Sequence, residues 1–244
     1  MLLQIPQGGY TMDYRKIQLV GEGKTKRLWT TNDDRLLIAE YSDDAMMYHG
    51  KQKLYFEGKG HYCAEIAALL MTQLHDNNIP TDFVQTISSN CLLVKKAEMI
   101  PIEVVVRNYA AGSMCKRLGL EPGKKLKSPV LEFCYKNDSL NDPVINEYHV
   151  YAMELCKPEE LSVMCYQASR TNKVLTNLMS KIGVVVADFK LEFGRVNGRL
   201  VVADEISPNV ARFWDENTMH RFEKDGDPSY EYKVILERLK KVCE

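Results

Sequence analysis

The stretches Asp188-Phe189-Lys190-Leu191-Glu192-Phe193-Gly194 and Val201-Val202-Ala203-Asp204-Glu205-Ile206 decide the fold of the C-terminal half. In both stretches apolar and polar residues alternate with a period of two, which predicts β-strands. Asn197-Gly198 lies between them, and Asn-Gly is the strongest short signal for a β-hairpin. The first strand then places three ionisable side chains in one row: Asp188, Lys190 and Glu192.

The register of this hairpin decides whether Glu192 meets another carboxylate. A strict two-residue loop places Glu192 opposite Ala203, whereas a shift of one residue places it opposite Asp204. We predict the shifted register, from a three-residue loop or a bulge near Gly194. Because close carboxylates repel each other, a divalent cation or a cationic partner would relieve the strain. A metal–phosphate site is therefore the first hypothesis, and a solvated sheet face screened by Lys190 is the alternative.

The composition is that of an ordinary globular protein and narrows the class of partners. The 244 residues carry a formal net charge of −1 at pH 7, which gives no electrostatic basis for binding nucleic acid. No apolar run reaches the roughly 20 residues of a membrane-spanning helix, and no secretory signal is recognisable. The seven cysteines form no C-x-x-C pair, which indicates reduced thiols and a cytoplasmic location.

The order of the elements predicts an α+β fold in three parts. Residues 1–14 are expected to form a loose extension, residues 15–97 a small antiparallel unit, and residues 98–244 a larger unit. The expected strands before the hairpin are Lys16–Val20, Thr25–Thr30, Leu36–Tyr41, Phe83–Ile87, Cys91–Lys95, Ile102–Val106 and Val130–Tyr135. The expected helices are Cys63–His75, Pro158 to about Lys181, and about Tyr230 to Val242.

A glycine- and lysine-rich turn joins the first two expected strands. In Gly21-Glu22-Gly23-Lys24-Thr25-Lys26 the glycines let the backbone approach a ligand closely, and the two lysines point to the same side of an extended segment. Backbone amides with ammonium groups suit a polyphosphate. The spacing is not that of a Walker P-loop, and a plain turn with solvated lysines is the alternative.

Two arginines complete a possible ligand site. Arg107 ends an expected strand and is followed by a turn that leads to Ser113, a combination that suits a phosphate group. Arg212 follows the second hairpin strand closely, and the adjacent Phe213 and Trp214 are expected to lie in the core. The lysine turn, the paired acids and the arginines together predict an ATP site with Mg²⁺, which prefers hard oxygen ligands.

Longer motifs occur in the order and spacing of one enzyme family. From about residue 17 to the C-terminus the chain resembles the SAICAR synthetase family of purine biosynthesis. The resemblance lies in Gly23-Lys24-Thr25-Lys26, Lys95 to Arg107, Ala111-Gly112-Ser113, Lys136-Asn137-Asp138 with Asp142-Pro143, Asp188 to Gly194, and Ser207-Pro208 to Trp214.

The resemblance implies a two-lobed, ATP-grasp-like or kinase-like fold with mostly antiparallel sheets, and long helices in the C-terminal half. It also implies a cytoplasmic ligase that uses ATP and Mg²⁺ to join the carboxylate of CAIR (carboxyaminoimidazole ribonucleotide) to the amine of L-aspartate. The carboxylate is first converted to an acyl phosphate, because oxide is a very poor leaving group. The implied partners are small molecules, with neither nucleic acid nor membrane, and the implied assembly is a homodimer.

The resemblance also assigns roles to residues of this chain. ATP binding is implied for Gly23, Lys24, Lys26, Lys95, Met99, Glu192 and Asp204, of which Glu192 and Asp204 would hold Mg²⁺. Substrate binding is implied for Arg107, Ser113, Asp142, Lys190 and Arg212. Catalytic roles are implied for Lys190 and Asp188, and either Asp188 or Asp204 would accept the proton of the attacking amine.

The chain departs from the family pattern at three places. Met46-Met47-Tyr48-His49-Gly50 replaces a Ser-Ala and Asp-Gly sequence, Tyr62-Cys63-Ala64 stands where asparagine is frequent, and Asn209 replaces an aspartate. These changes leave a paralogous ligase with another carboxylate or amine as one alternative. A kinase-type phosphotransferase and an inactive nucleotide-binding module are the others.

Overall fold

The computed structural model of the protein describes residues 13–47, 52–225 and 227–243, and for residues 45–47, 52 and 53 it describes the backbone alone. In this part of the chain strands and helices are mixed and the sheets are antiparallel, which confirms the predicted α+β class. No helix within these ranges is long and apolar enough to cross a membrane.

Five antiparallel strands form the N-terminal sheet, in the spatial order first, second, third, seventh and sixth. They are β1 (Leu19–Glu22), β2 (Lys26–Thr30), β3 (Leu36–Tyr41), β6 (Phe83–Ser88) and β7 (Cys91–Lys95). A separate hairpin contains β4 (Asp44–Met47) and β5 (Gln52–Tyr55). The sequence predicted the strands of the sheet but not this hairpin, part of which lies outside the described residues.

Helix α1 (Lys59–Asp76) packs against this sheet through Cys63, Ala64 and Ala67. Its buried stripe of Ile66, Leu70 and Leu74 lies in the main hydrophobic core. The stripe repeats every three to four residues, which is the helical period. The helix begins four residues before the predicted Cys63. The Asp43 carboxylate accepts hydrogen bonds from the backbone amides of residues 58 and 60, at 3.0 and 2.8 Å, and so satisfies donors that the first helical turn leaves free.

Six strands form the C-terminal sheet, and its central strand is β11 (Val184–Val196). One edge of this strand pairs with β8 (Glu98–Tyr109), and the other edge pairs with β12 (Arg199–Ala203) and with β13 (Ala211–Asp215). Beyond β8 lie β9 (Lys125–Tyr135) and β10 (Val144–Ile145). The helices that follow the sheet strands are α2 (Ser113–Leu118), α3 (Glu147–Ala152), α4 (Pro158–Ser180) and α5 (Tyr230–Cys243), with a 3₁₀ turn at Asp138–Leu140.

The hairpin between β11 and β12 has the strict register, so the predicted shift is wrong. Glu192 pairs with Ala203, and Val196 pairs with Arg199 across a two-residue loop. The loop residues have φ angles of 50° and 75°, both positive, which is the type I′ turn that fits the twist of the strands without an extra residue. The irregularity near Gly194 lies on the other edge, in the pairing of β11 with β8.

The two faces of β11 differ as the alternation predicts. Phe189, Leu191 and Phe193 are buried in the main hydrophobic core, together with α4 side chains such as Leu161 and Met164. The opposite face carries the row Asp188, Lys190 and Glu192. Phe213 is fully buried in the same core, and the Trp214 ring lies edge-on to Tyr109, so the prediction that both are core residues is confirmed.

Candidate active site

Lysines and carboxylates from both sheets meet on the polar face of β11. We call the six residues of this group the acidic cluster: Lys26, Lys136, Lys190, Glu103, Glu192 and Asp204. Lys26 comes from β2 and reaches Asp204, with 2.6 Å between Nζ and Oδ1. Lys136 pairs with Glu192, and Lys190 pairs with Glu103 and lies 3.8 Å from Glu192.

The ionisation of Glu192 depends on the charge of Asp204. Burial raises the pKa of Glu192, and the neighbouring Asp204 charge raises it further. Burial acts in the same direction on Asp204, but Lys26 overcomes it and holds the pKa of Asp204 below its ordinary value. The buried Glu192 and the partly exposed Asp204 therefore rely on neighbouring lysines to favour their ionised forms.

Asp204 reaches the cluster although the register places Ala203 opposite Glu192. It lies directly after β12, and its φ of 72° is in the left-handed region that residues with side chains rarely adopt. Burial raises the pKa of Asp82, whose charge interacts with that of Asp204, to about 7. The next residue, Glu205, is also buried and accepts hydrogen bonds from Ser207 at 2.6 Å and from Asn209 at 3.2 Å.

The turn between β1 and β2 borders a pocket of about 330 Å³. We call it the lysine pocket; its lining includes Gly23, Lys24, Lys26, Ser42 and Asp138. The Lys24 ammonium pairs with Asp138 at 2.7 Å, and both side chains are more than half exposed. Exposed ammonium groups beside a glycine turn can exchange a carboxylate for a phosphate at little cost.

Lys95 and Met99 flank the segment that joins the two sheets. Lys95 Nζ donates to the Thr81 carbonyl at 3.0 Å, and Met99 is 43% exposed. Met99 pairs with Gly194, where an added Cβ would lie 2.7 Å from the Ala97 Cβ and 3.1 Å from the Met99 sulfur. The absence of a side chain at Gly194 is what allows the connecting segment to lie against β11.

Two arginines and one aspartate form a second group, which we call the arginine cluster: Arg107, Asp188 and Arg212. The three residues pair across neighbouring strands, because Asp188 is opposite both Arg107 and Arg212. Arg107 donates to Asp188 at 2.5 Å and to Glu132 at 2.7 Å. Arg212 donates to both oxygens of Asp188, at 2.9 and 2.7 Å, and its own side chain is 39% exposed.

The arginine cluster lines a second pocket, of about 230 Å³, which we call the arginine pocket. Lys190, Asn209 and Arg221 also line it. Arg221 donates to Glu231 at the start of α5, at 2.7 Å. The cations at this pocket outnumber its one carboxylate, so an anionic ligand would be attracted.

Two of the predicted substrate residues stand apart from these contacts. Ser113 begins α2 directly after Gly112, where an added Cβ would lie 2.8 Å from Arg212 Nη2. Asp142 accepts a hydrogen bond from the backbone amide of Asn137 at 2.8 Å and so closes its own turn. For both residues a role in substrate binding remains a prediction.

The departures from the family pattern are partly in contact with each other. The Asn209 amide donates to Cys63 Sγ at 3.3 Å, and the Asn209 oxygen accepts from the Tyr232 hydroxyl at 3.1 Å. These contacts tie α1 and α5 to the segment that leads to Arg212. Residues 48–50 of the altered loop lie outside the described residues.

The sequence reading missed several charged residues of the site. Glu103 carried a signal, because it is a lone acid within an apolar strand, Ile102-Glu103-Val104-Val105-Val106. Lys136 lies in the motif Lys136-Asn137-Asp138, but the sequence alone assigns it no function. Asp82 carried no local signal, because its neighbours in space come from distant parts of the chain.

Comparisons with known proteins relate nearly the whole described chain to one enzyme family. The family model described as SAICAR synthetase matches residues 19–242. A phosphoribosylaminoimidazole-succinocarboxamide synthase from Thermoanaerobacter sp. (strain X514) is 46% identical over 230 residues, which cover 92% of this chain and 98% of that protein. A solved structure of the synthase from Ehrlichia chaffeensis has a TM-score of 0.88 at 34% identity, and covers 92% of this chain and 99% of that chain. A SAICAR synthetase in complex with ADP has a TM-score of 0.86 at 41% identity, with 91% of this chain and 97% of that chain covered.

Proposed function

The chain belongs to the SAICAR synthetase family, and from this premise we propose how its residues carry out the reaction of an ATP-dependent carbon–nitrogen ligase. The reaction joins the carboxylate of CAIR to the amine of L-aspartate and yields SAICAR, ADP and phosphate, in purine biosynthesis. The observation that carries the proposal is the row on β11: Asp188 belongs to the arginine cluster, Glu192 to the acidic cluster, and Lys190 lies between them.

The nucleotide is proposed to bind between the lysine pocket and the segment joining the sheets. The backbone at Gly23 and the ammonium groups of Lys24 and Lys26 would hold the phosphates. Lys95 and Met99 would lie at the adenine end. Support comes from the exposed ion pair of Lys24, which a phosphate can displace, and from the pocket that the turn borders.

Glu192 and Asp204 fit a magnesium ion and are proposed to hold it. They are oxygen donors in electrostatic contact, and they are stabilised here only by lysines. Mg²⁺ is usually bound by one or two carboxylates plus substrate phosphates, so these two carboxylates are of the kind and number that it requires. When bound, the ion would neutralise charge on the transferred phosphoryl group.

The arginine pocket is proposed to bind CAIR. Arg107, Arg212 and Ser113 would hold its phosphate, with Asp142 near the turn that closes this side. Both oxygens of Asp188 already accept hydrogen bonds from arginines, so its proposed contribution is to orient them. Lys190 projects between the two clusters, where it would stabilise charge on the carboxylate that is being activated.

In the proposed reaction the protein forms no covalent bond with either substrate. A carboxylate oxygen of CAIR attacks the γ-phosphorus of ATP, ADP leaves, and an acyl phosphate forms. The neutral amine of aspartate attacks the acyl carbon, the C–O bond to phosphate breaks, and the nitrogen transfers its proton to the departing phosphate. Asp188 or Asp204 as the acceptor remains a prediction, since arginines and Lys26 hold these two carboxylates. Positioning and charge neutralisation by Lys26 and Lys190 supply the rate enhancement.

We also propose a division into two lobes, a dimeric assembly and a cellular location. The chain would divide into lobes near residue 97, between the two sheets, and would act as a homodimer in the cytoplasm. Cys63, Cys91, Cys134 and Cys156 are buried thiols, which suits a reducing compartment. Light scattering after gel filtration would give the mass of the assembly, and a monomeric mass would exclude the dimer.

The proposal is tested by ADP release with Mg-ATP and CAIR, with and without L-aspartate, together with the mass of the product. We expect ADP release that depends on aspartate and a product that carries the succinyl amide. Glu192→Gln is expected to lower turnover by about 100-fold or more, because it removes one charge of the metal site. Glu159→Gln, on the exposed first turn of α4, is the matched control and should turn over normally. Normal turnover by folded Glu192→Gln would exclude the proposed metal site, and aspartate-independent ADP release would exclude the ligase.

A further inference from the structure

Arg221 is a cation of the arginine pocket that the proposed contacts with CAIR do not use. It lies between β13 and α5 and lines the pocket together with Arg107 and Arg212. Arg107 and Arg212 both donate to Asp188, a carboxylate that lines the same pocket. Arg221 pairs instead with Glu231, which does not line the pocket. Its charge is therefore not matched by a carboxylate of its own inside the pocket.

The guanidinium of Arg221 is held by two acceptors. Nη1 donates to Glu231 Oε2 at 2.7 Å, and Nη2 donates to the Ala211 carbonyl at 3.4 Å. Glu231 is 7% exposed and belongs to the first turn of α5, so this anchor is part of the packed fold. A guanidinium has five N–H donors, and among the described residues these two contacts are its only hydrogen bonds. The side chain is 37% exposed, so its other donors can reach a ligand.

The Ala211 carbonyl places this anchor on one side of the arginine cluster. Ala211 pairs with Phe189 of β11, which is one residue beyond Asp188 in the direction of Lys190. The arginines that bind Asp188 are proposed to hold the phosphate of CAIR, and Lys190 is proposed to stabilise its carboxylate. Arg221 is therefore anchored on the side of the pocket where the acyl phosphate would form.

The amine donor has to bind on this same side. Its nitrogen must come within about 3–3.5 Å of the acyl carbon before it can attack, so it lies next to Lys190. L-Aspartate brings two carboxylates with its amine, and a carboxylate that leaves water needs a cationic partner. Lys190 already donates to Glu103, and the Asn209 amide at this pocket donates to Glu205. Arg221 has both the position and the free donors that such a carboxylate requires.

We propose that Arg221 binds a carboxylate of the amine donor and is a specificity-determining residue for that substrate. Its free N–H groups would donate to both carboxylate oxygens, the paired geometry that distinguishes arginine from lysine. An amine without this carboxylate would be bound more weakly. This inference rests on the proposed function, because it assumes that L-aspartate is the amine donor and that Lys190 marks the position of the acyl carbon.

The test measures KM values for L-aspartate, CAIR and ATP from ADP release, and inhibition by succinate, which has the two carboxylates of aspartate but no amine. Arg221→Met should raise the KM for L-aspartate by about tenfold or more, because a hydrogen bond between charged groups is lost. The inhibition constant of succinate should rise by the same factor, while the KM values for CAIR and ATP stay unchanged. Arg221→Lys keeps the charge but not the paired donors, so its KM for L-aspartate should rise less.

Arg238→Met is the matched control. Arg238 is exposed to a similar degree, and it donates to Asp215 and to the Ile182 carbonyl. Its guanidinium lies over the Phe222 ring, next to Arg221 in the chain. The loss of Arg238 therefore loosens the same segment without removing a charge from the arginine pocket, so the KM for L-aspartate should stay at the value of the unmodified protein.

An unchanged KM for L-aspartate in folded Arg221→Met would overturn the inference. So would a rise in the KM for CAIR in its place, or an equal rise in the KM for L-aspartate in Arg238→Met. If Arg221→Met does not fold, Arg221→Lys decides the question, and KM values equal to those of the unmodified protein would overturn the inference. An unmodified protein that releases no ADP in response to L-aspartate would overturn the proposed function itself, and the two failures are thereby distinguished.

Discussion

The arginine cluster and the acidic cluster are built on the same strand but are held together differently. Arg107, Asp188 and Arg212 lie opposite one another on three neighbouring strands of one sheet. In the acidic cluster, Lys26 comes from the N-terminal sheet and meets Asp204, which lies after the last residue of β12. The first group is formed by strand pairing alone, whereas the second also depends on how the two sheets are placed.

This difference predicts that one group of ion pairs mainly stabilises the folded protein, whereas the other mainly rearranges when a ligand binds. The arginine cluster contains a buried ion pair whose geometry is set by backbone hydrogen bonds, so it should contribute to folding and be ready to bind before a ligand arrives. On the nucleotide side the Lys24–Asp138 pair is exposed, so it should contribute less to folding and change partners on binding.

The largest effect is expected for Arg107→Met. Arg107 is 6% exposed and pairs with Asp188 and Glu132. Its loss removes the buried cation of this network and leaves the two carboxylates with only the more exposed Arg212 and Arg117. Urea unfolding should show a loss of about 3–5 kcal/mol. Arg117→Met is the matched control, because Arg117 also pairs with Glu132 but its side chain is 35% exposed; it should cost less than about 1 kcal/mol. Equal losses would contradict the contrast.

The second prediction concerns Glu231, which supports Arg221 at the arginine pocket. Burial raises the pKa of Glu231 to about 7, although Arg221 opposes the shift. The folded state therefore holds this proton more tightly than the unfolded state, and its stabilising contribution is lost as the pH rises through about 7.

Glu231→Gln should remove this pH dependence. The difference in unfolding free energy between the variant and the parent should grow between pH 4.5 and pH 8, by at most about 3 kcal/mol. Glu237→Gln, at an exposed position of the same helix, should leave the profile of the parent unchanged. A difference that is constant with pH would show that Glu231 is ionised in the folded protein throughout.

The third prediction concerns Gly112, which lies under Arg212. Its φ of 60° and ψ of −139° suit glycine alone, and an added Cβ would lie 2.8 Å from Arg212 Nη2. Gly112→Ala should cost about 1–3 kcal/mol and raise the KM for CAIR. Gly119→Ala is the control, since its φ is also positive, at 63°, but an added Cβ meets no atom within 4 Å among the described residues. Similar KM values in both variants would exclude displacement of Arg212.

The smallest effect on stability is expected for Lys24→Ala. The Lys24–Asp138 pair is exposed, so its loss should change the free energy of unfolding by less than about 1 kcal/mol. The KM for ATP should rise nevertheless, because a phosphate contact is lost. Arg35→Ala removes another exposed pair, with Asp33, and should leave this KM unchanged. An unchanged KM in Lys24→Ala would remove Lys24 from the nucleotide site.

The alternation of residues 188–194 was sufficient to predict β11 and its two faces. It placed Phe189, Leu191 and Phe193 in the core and the charged row on the other side, because the period of a strand fixes which side chains share a face. The helices α4 and α5 were also predicted nearly to their ends, since Pro158 and the apolar stripe mark them. Short elements such as α2 and α3 were missed, because six residues give too little periodicity.

The geometry around Asp204 could not be predicted from the sequence. The register that was expected to bring it to Glu192 is wrong, yet the two carboxylates do interact, because a left-handed residue after β12 turns the side chain back. That conformation lies just beyond the end of β12, where the alternation of the strand no longer applies. Local patterns report which face a side chain occupies within a strand, but not the backbone conformation that follows it.

The charged row on β11 also fixes the distance between the arginine cluster and the acidic cluster. Side chains two residues apart on one face of a strand are separated by about 6.6 Å, so Asp188 and Glu192 are separated by about 13 Å. The backbone between them pairs with β8 along one edge, which keeps it extended. A molecule anchored at the arginines can therefore present its carboxylate to the nucleotide only if its own dimensions match this span. The enzyme would then select the substrate that carries this carboxylate by its length as well as by its charge, because the spacing of residues along β11 is constant.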